Sequence, residues 1–306
     1  MKKIISISLG SSKRDHQVQT NFLGEEFIIE RRGTDGNKEK AIQLFKELDG
    51  EYDAFGIGGI DLYIYANNRQ YTFRVAEKII EGVKKTPVVD GSGLKNTLER
   101  KTIDYLDKEI GIDFCNKKVL MVSALDRFGM AEELVNKGAD VVFGDLIFAL
   151  GLPFKIKSLK KLGVLTKLFA PIITKLPFEW LYPTGNKQEK ENNKYPKYIN
   201  YYQEADIIAG DYHLIRKYLP ENIDKKIIIT NTLTKENIDL FIKRGVSMIV
   251  TSTPEINGRS FGTNVIEGVL VALMKSNKLS EEDFFELLDK LNFRPRIIVN
   301  DKKAVC

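Results

Sequence analysis

Cysteine and histidine are scarce in this chain of 306 residues, which has two of each. Cys115 and Cys306 make no CxxC pair, so no disulfide framework is expected and a reducing, cytoplasmic setting is the natural reading. His16 and His213, with no HExxH string and no cysteine cluster, give no metal-ligand set, and no metal is expected. No GxSxG elbow is present, which excludes the usual α/β-hydrolase nucleophile. No GxxxxGK[ST] loop is present either, which excludes the usual nucleoside triphosphate cradle. A strong charge of one sign is also lacking. The 47 basic and 42 acidic residues leave a net charge of +5, and the lysines are spread along the chain, so no nucleic acid partner is expected. The apolar part of MKKIISISLG ends after about six residues, too short for a secretory core, and reads as a first buried strand.

The chain does have the hydrophobic content for a large core, 43% of residues, in a length that suits about two domains. Up to about residue 112, strand-like runs (IISISL, FIIERR, DAFGIGG, TPVVD) alternate with helical ones, the pattern of a mostly parallel sheet covered by helices. Leu62 to Phe73 interrupts it with two aromatic arms about Asn67-Asn68, a hairpin signature. From Lys117 the alternation restarts, with strands near Val119, Val141, Ile207, Ile227 and Met248. The expected fold is α/β in two domains. Residues 1–112 form a substrate domain, and 113–306 form a Rossmann-like domain with a mostly parallel sheet and an apolar, basic insert at 152–202.

Within that insert, the apolar run from Leu159 to Leu181 is punctuated by Lys160, Lys161, Lys167 and Lys175 and broken by Pro171 and Pro177, so no uncharged transmembrane span exists. Its readings stay open: a wall over a hydrophobic substrate, a peripheral membrane contact, a homodimer interface, or a helix that packs on its own protein.

The segment from Lys117 to Asp145 reads as strand, turn, helix, strand, with an acidic residue closing the second strand. Nucleotide-binding folds use this arrangement because the turn and the helix N-terminus face phosphate while the acid meets a ribose hydroxyl. Of the three fingerprint glycines, Ser123 and Leu125 stand near the first two places and Gly129 at the third. Asp145 falls where the ribose carboxylate belongs, or else caps the helix beginning near Leu146. Asp126 in the turn, and Thr230, Asn231, Thr232 and Thr251 at later strand ends, complete the expected seat for NAD or NADP. The Asp145 carboxylate favours NAD, because a 2′-phosphate would meet it.

Three strand ends in the first half also carry glycine and polar groups: Ser11, Ser12, Lys13 and Arg14 after the first strand, Gly58 and Asp61 after a later one, and Asp90 and Ser92 after TPVVD. Ligands of open α/β sheets collect at this edge, and the two cations suit an anionic small-molecule substrate. The plain alternative for Lys13 and Arg14 is a solvated turn paired to Asp15. Lys95, one turn into the next helix, is the candidate acid/base, since desolvation lowers a lysine pKa toward neutrality. The plain alternative is a surface lysine.

With SLGSSKRDH, GIGGIDLY, TPVVDGSGLKNTLER, LPFEWLYPTG and TPEINGRSFGTNVIEGVLVAL on the page, the chain resembles a bacterial family labelled quinate 5-dehydrogenase. The resemblance implies a substrate domain followed by a nicotinamide-binding Rossmann domain, as in shikimate dehydrogenases, and hydride transfer to or from a hydroxyl or carbonyl group. The Asn-Val-Thr-x-Pro-x-Lys string of those enzymes is absent, so Lys95 matches by position alone. Two other classes stay open: a transferase using a nucleotide-linked donor, and a non-catalytic membrane-surface or partner-binding protein that keeps a degenerate nucleotide pocket.

Overall fold

The computed structural model describes residues 1–66, 69–148, 151–152, 154–174, 198–256, 259–276 and 279–300. Two compact units interleave along the chain. The first comprises Met1–Thr97, Lys167–Gln188 and Phe261–Phe293; the second comprises Leu98–Thr166, Glu189–Ser260 and Arg294–Cys306. The sequence reading divides the chain once, near residue 112, whereas contacts assign Phe261–Phe293 to the first unit. The helix in that segment is the reason: its sequence, TNVIEGVLVALM, is buried along almost its whole length and so needs a sheet to lie on.

In the first unit, strands β1 (Lys2–Ser8), β2 (His16–Phe22), β3 (Glu25–Gly33), β4 (Ala54–Gly58) and β7 (Val88–Val89) form one sheet in the order β2-β3-β1-β4-β7. β1 runs parallel to both β3 and β4, and β4 to β7, while β2 is antiparallel at the edge. β1 is buried at all but one position, as a central parallel strand covered on both faces must be, while β2 alternates half-buried and exposed residues, as an edge strand does. Helices α1 (Lys38–Glu47) and α2 (Arg74–Ile80) pack together. α3 (Ser92–Lys108) starts in this unit and ends in the other. β5 (Tyr63–Ala66) and β6 (Arg69–Thr72) pair antiparallel as the expected hairpin; its Asn67-Asn68 turn lies outside the described residues.

The second unit contains β8 (Lys118–Met121), α4 (Phe128–Asn136), β9 (Asp140–Phe143), α5 (Asp145–Phe148) and the start of α6 (Leu159–Ile173). There follow α7 (Ile199–Glu204), β10 (Ile207–Ala209), α8 (Tyr212–Lys217), β11 (Ile227–Thr230), α9 (Lys235–Lys243) and β12 (Met248–Thr251). β13 (Glu255–Ile256) and β14 (Arg259–Ser260) form a small ribbon, and β15 (Arg296–Val299) closes the main sheet. The order is β15-β12-β11-β10-β8-β9, parallel except for β15. Because β8 lies between β9 and β10, successive connections leave it in opposite directions, and the carboxyl ends of β8 and β10 form a topological switch point, where such sheets bind ligands.

The first unit is completed by α10 (Thr263–Met274), packed on β1, β4 and β7, and α11 (Glu281–Lys290). Gly268 lets α10 approach closely, since a Cβ there would stand 3.0 Å from the Ile4 side chain. Ser280 and Asp283 make the reciprocal capping box that the Ser-Glu-Glu-Asp run predicts. Thr234 caps α9, its side chain accepting the Asn237 amide. Of the insert, residues 175–197 lie outside the described residues, and with them the Lys175 to Leu181 end of the apolar run and the LPFEWLYPTG turn.

Candidate functional site

At the switch point of the second unit, the chain leaves β8 through Val122, Ser123, Ala124 and Leu125. The amides of Ala124 and Leu125 both donate to Asp145 Oδ1 at 2.9 Å. The bend and the carboxylate that the sequence singled out therefore do meet. Asp145 is buried, and its Oδ2 has no hydrogen-bond partner. Burial pushes its pKa up to about 7, nearby Asp126 adds to the rise, and the two donated amides oppose it.

The rest of this edge is tightly cross-linked. Ser123 Oγ accepts the Asp211 amide at 3.1 Å and ties the ends of β8 and β10. Arg127 is almost fully buried, paired to Glu99, with Asp211 Oδ2 at 3.3 Å and Asp126 Oδ2 at 3.7 Å. Asn231 Nδ2 donates to Asp211 at 3.1 Å, and Thr230 donates to the Gly210 carbonyl at 2.8 Å. Thr251 donates to the Thr253 carbonyl at 2.8 Å, while Thr232 is half-buried. Gly129 sits in the first turn of α4, buried, and not in the bend itself.

These residues fit the ribose end of a dinucleotide through one observation. The orphaned Asp145 Oδ2 stands at the end of the second strand of the sheet, where a ribose hydroxyl would satisfy it. They fit the diphosphate less directly. The first two turn amides are already engaged, leaving the α4 N-terminus, where Arg127 in the N-cap position makes no side-chain cap.

In the first unit, the edge formed by the ends of β4 and β7 holds a second cluster. Gly91 takes φ +90°, and a Cβ there would lie 2.5 Å from the Asn264 backbone nitrogen, so only glycine fits this turn. Asp90 fixes it from one side. Its Oδ2 accepts the amides of Leu62 and Tyr63, and its Oδ1 accepts the amide and hydroxyl of Ser92. Lys95, buried one turn into α3, places Nζ 3.5 Å from Asp61 Oδ1. Gly58 lies against Ser8 and Asn264, whose side chain donates to Ser6 Oγ and to the Ile57 carbonyl.

Glu267 is the residue that sequence reasoning passed over. It rises from α10 to this turn, where a Cβ on Gly93 would lie 2.6 Å from its Oε1. Burial pushes its pKa up to about 8, Asp90 adds to the rise, and the Leu94 and Gly91 amides and the Lys95 charge oppose it. Its Oε2 is buried without a partner. An acidic residue inside the otherwise apolar face of TNVIEGVLVALM was the available signal.

The Ser11–Arg14 loop, after β1, is a single 3-10 turn that leaves Ser12 and Lys13 exposed and Ser11 buried. Its amides turn inward, Ser12 to Asp35 at 2.8 Å and Lys13 to Ser11 Oγ at 3.3 Å. A half-buried cation here is Arg31, bonded to Asp15 at 2.8 Å and to the Ser11 carbonyl at 3.0 Å. Burial lowers its pKa to about 10, with Arg14 contributing and Asp15 opposing. Among the described residues, no group of three or more His, Cys, Asp and Glu could hold a metal, and no helix is long and apolar enough to cross a membrane.

Fold and edge chemistry together define a two-unit, mixed α/β protein with two mostly parallel sheets, the second doubly wound about β8 and β10. The family model of a domain of unknown function, DUF8754, matches residues 93–299, and the chain belongs to that family. A second model, DUF8753, also a domain of unknown function, matches residues 3–90. The two matches meet at the Gly91 turn. No curated protein matches the chain.

Solved structures similar to it include the hetero-hexameric glutamate dehydrogenase of Thermus thermophilus, at 13% identity over 95% of this chain and 73% of that one, TM-score 0.41. The NAD-dependent malic enzyme of Thermotoga maritima is 10% identical over 95% and 84%, TM-score 0.35. A sugar ABC transport substrate-binding protein of Bordetella parapertussis is 11% identical over 98% and 90%, TM-score 0.37. Likenesses this distant, to proteins of such different roles, carry no functional argument.

Proposed function

We propose that this protein is an NAD(P)-dependent oxidoreductase acting on a hydroxyl or carbonyl group of a small anionic molecule, the reading to which its resemblance to quinate 5-dehydrogenases also leads. The observation that carries it is the buried Lys95, 3.5 Å from Asp61 at the carboxyl edge of a parallel sheet. A buried amine beside a carboxylate is a group that can pass a proton. Lys95 gives a proton to the substrate oxygen in reduction and takes it back in oxidation. Asp61 keeps the ammonium in place, and Glu267, by holding the Gly91 and Leu94 amides, positions the turn from which Lys95 projects. Arg14 and Arg31 suit the anionic group.

In the second unit, Asp145 would accept from a ribose hydroxyl and the first amides of α4 would face the diphosphate; the nicotinamide, when bound, carries the hydride. Asp145 with Asp126 beside it favours NAD over NADP. Titration of the protein with NADH and with NADPH, followed by nucleotide fluorescence, is the direct test. Saturation with NADH at lower concentration than with NADPH is the expected result. Lys95→Met is expected to leave that binding intact and lower turnover of a hydroxy-acid panel at least 100-fold; unchanged turnover removes Lys95 from its role.

A second reading has one observation in its favour. The Ala124 and Leu125 amides and Arg127 are all engaged inside the protein, which suits a nucleotide pocket that has closed. Neither nucleotide would then give a saturable signal.

A further inference from the structure

From Leu146 to Phe178 the chain carries six lysines and no acidic residue. The described part of this stretch is built as a two-sided helix. On α6, Leu159, Leu162 and Leu165 turn inward and join the core of the second unit. Lys160, Lys161, Val164, Lys167 and Leu168 are exposed instead, and their i, i+1, i+4, i+7, i+8 spacing puts them on one face. Val164 is 65% and Leu168 63% exposed, and Phe154, just before the helix, is 62% exposed. Among the described residues, four of the ten exposed large hydrophobics, these three and Leu152, fall within the 17 positions 152–168.

The charges around them are unbalanced. Lys155 is paired with Glu204 and Lys157 with Asp140, which leaves Lys160, Lys161 and Lys167 as exposed cations interleaved with bare apolar side chains. Water hydrates the lysines but not the apolar side chains between them, whereas an anionic bilayer surface satisfies both. Apolar side chains enter the acyl boundary by about 5–10 Å while lysines remain among the headgroups.

We infer that this face, from Phe154 through Leu168, docks the protein on membranes that carry anionic phospholipid. An acidic protein would satisfy the lysines but leaves the bare phenylalanine, valine and leucine unexplained. A second copy of the chain would bring the same lysines against one another. The inference stands independently of the nucleotide reading.

Sedimentation of the full-length protein with vesicles tests it. Vesicles of phosphatidylcholine with phosphatidylglycerol should carry the protein down and vesicles of phosphatidylcholine alone should not, with binding weakened by salt. Lys160→Gln with Lys161→Gln is expected to weaken partitioning about 30-fold, roughly fivefold for each lysine. Phe154→Ser is expected to weaken it roughly tenfold. Because all these side chains are exposed, the variants should fold. The inference is overturned by absence of binding to anionic vesicles, or by Phe154→Ser with Val164→Ser binding as the parent does, which would mean charge alone. It is equally overturned if light scattering finds a dimer that Val164→Ser converts to monomer.

Discussion

The protein contains two strand–turn–helix junctions of the same kind, and they differ in what they do with their cation. After β7, the Gly91 and Leu94 amides are held by Glu267; after β8, the Ala124 and Leu125 amides are held by Asp145. Each acid is buried and each has one oxygen without a partner. In the first unit the neighbouring cation is Lys95, with Asp61 at 3.5 Å. In the second it is Arg127, set among Glu99, Asp211 and Asp126. A guanidinium does not release its proton in a protein, and its fork suits several carboxylates at once; an amine is the cation of the two whose proton can be passed on. The first junction is therefore equipped for proton transfer and the second for holding shape.

The sharpest way to break this comparison is to remove each cation. Arg127→Met strands buried Glu99 and is expected to cost about 3–5 kcal/mol of stability in urea denaturation, much of it restored when Glu99→Leu is added. Lys95→Met leaves the partly solvated Asp61 and is expected to cost only about 1 kcal/mol. Equal losses would mean that Lys95 is as structural as Arg127.

A smaller effect separates the turns themselves. Gly91→Ala meets backbone, Asn264 N at 2.5 Å, whereas Gly210→Ala, at the end of β10, meets first a Val122 methyl at 2.7 Å. Both positions have positive φ, +90° and +130°. Gly91→Ala is expected to cost about 2 kcal/mol or more and Gly210→Ala less, because a side chain yields where a backbone cannot. A larger midpoint shift for Gly210→Ala would reverse the assignment of the tighter turn.

The mildest effect is in the pH dependence. Both acids keep their proton in the folded protein at pH values where the unfolded chain has lost it. The folded state then binds more protons, so stability falls as pH rises from the ordinary carboxylate range, up to about 8 for Glu267 and about 7 for Asp145. One such group contributes a slope of at most about 1.4 kcal/mol per pH unit. Glu267→Gln should flatten the fall in melting temperature up to pH 8, and Asp145→Asn only up to pH 7. If Glu267→Gln keeps the parental slope between pH 7 and 8, the Glu267 side chain is already ionised.

How far these features were legible depends on the span of chain that makes them. The Asp145 contact closes over 21 residues within one strand-turn-helix-strand unit, and the spacing of hydrophobic runs and turns announced it. What the spacing left open was which group the carboxylate would meet: it takes the turn amides as well as keeping one oxygen open. Glu267 reaches the Gly91 turn from the far end of the chain, so no local pattern links them. The hairpin about residues 67–68 and the caps Thr234 and Ser280 were readable because each is a contact between near neighbours.

Alternating apolar runs and glycine-polar strand ends were enough, by themselves, to determine that this chain forms α/β layers with polar loops at the carboxyl edges. Periodicity acts residue by residue and survives any packing. Which helix covers which sheet was decided only in three dimensions. α10 belongs with β1 and β4 because its all-round apolar surface must be buried and the face they offer accepts it. The pairing of Lys95 with Asp61, and of Arg127 with Glu99, follows from that packing, since a buried charge takes whichever counter-charge the fold brings within reach.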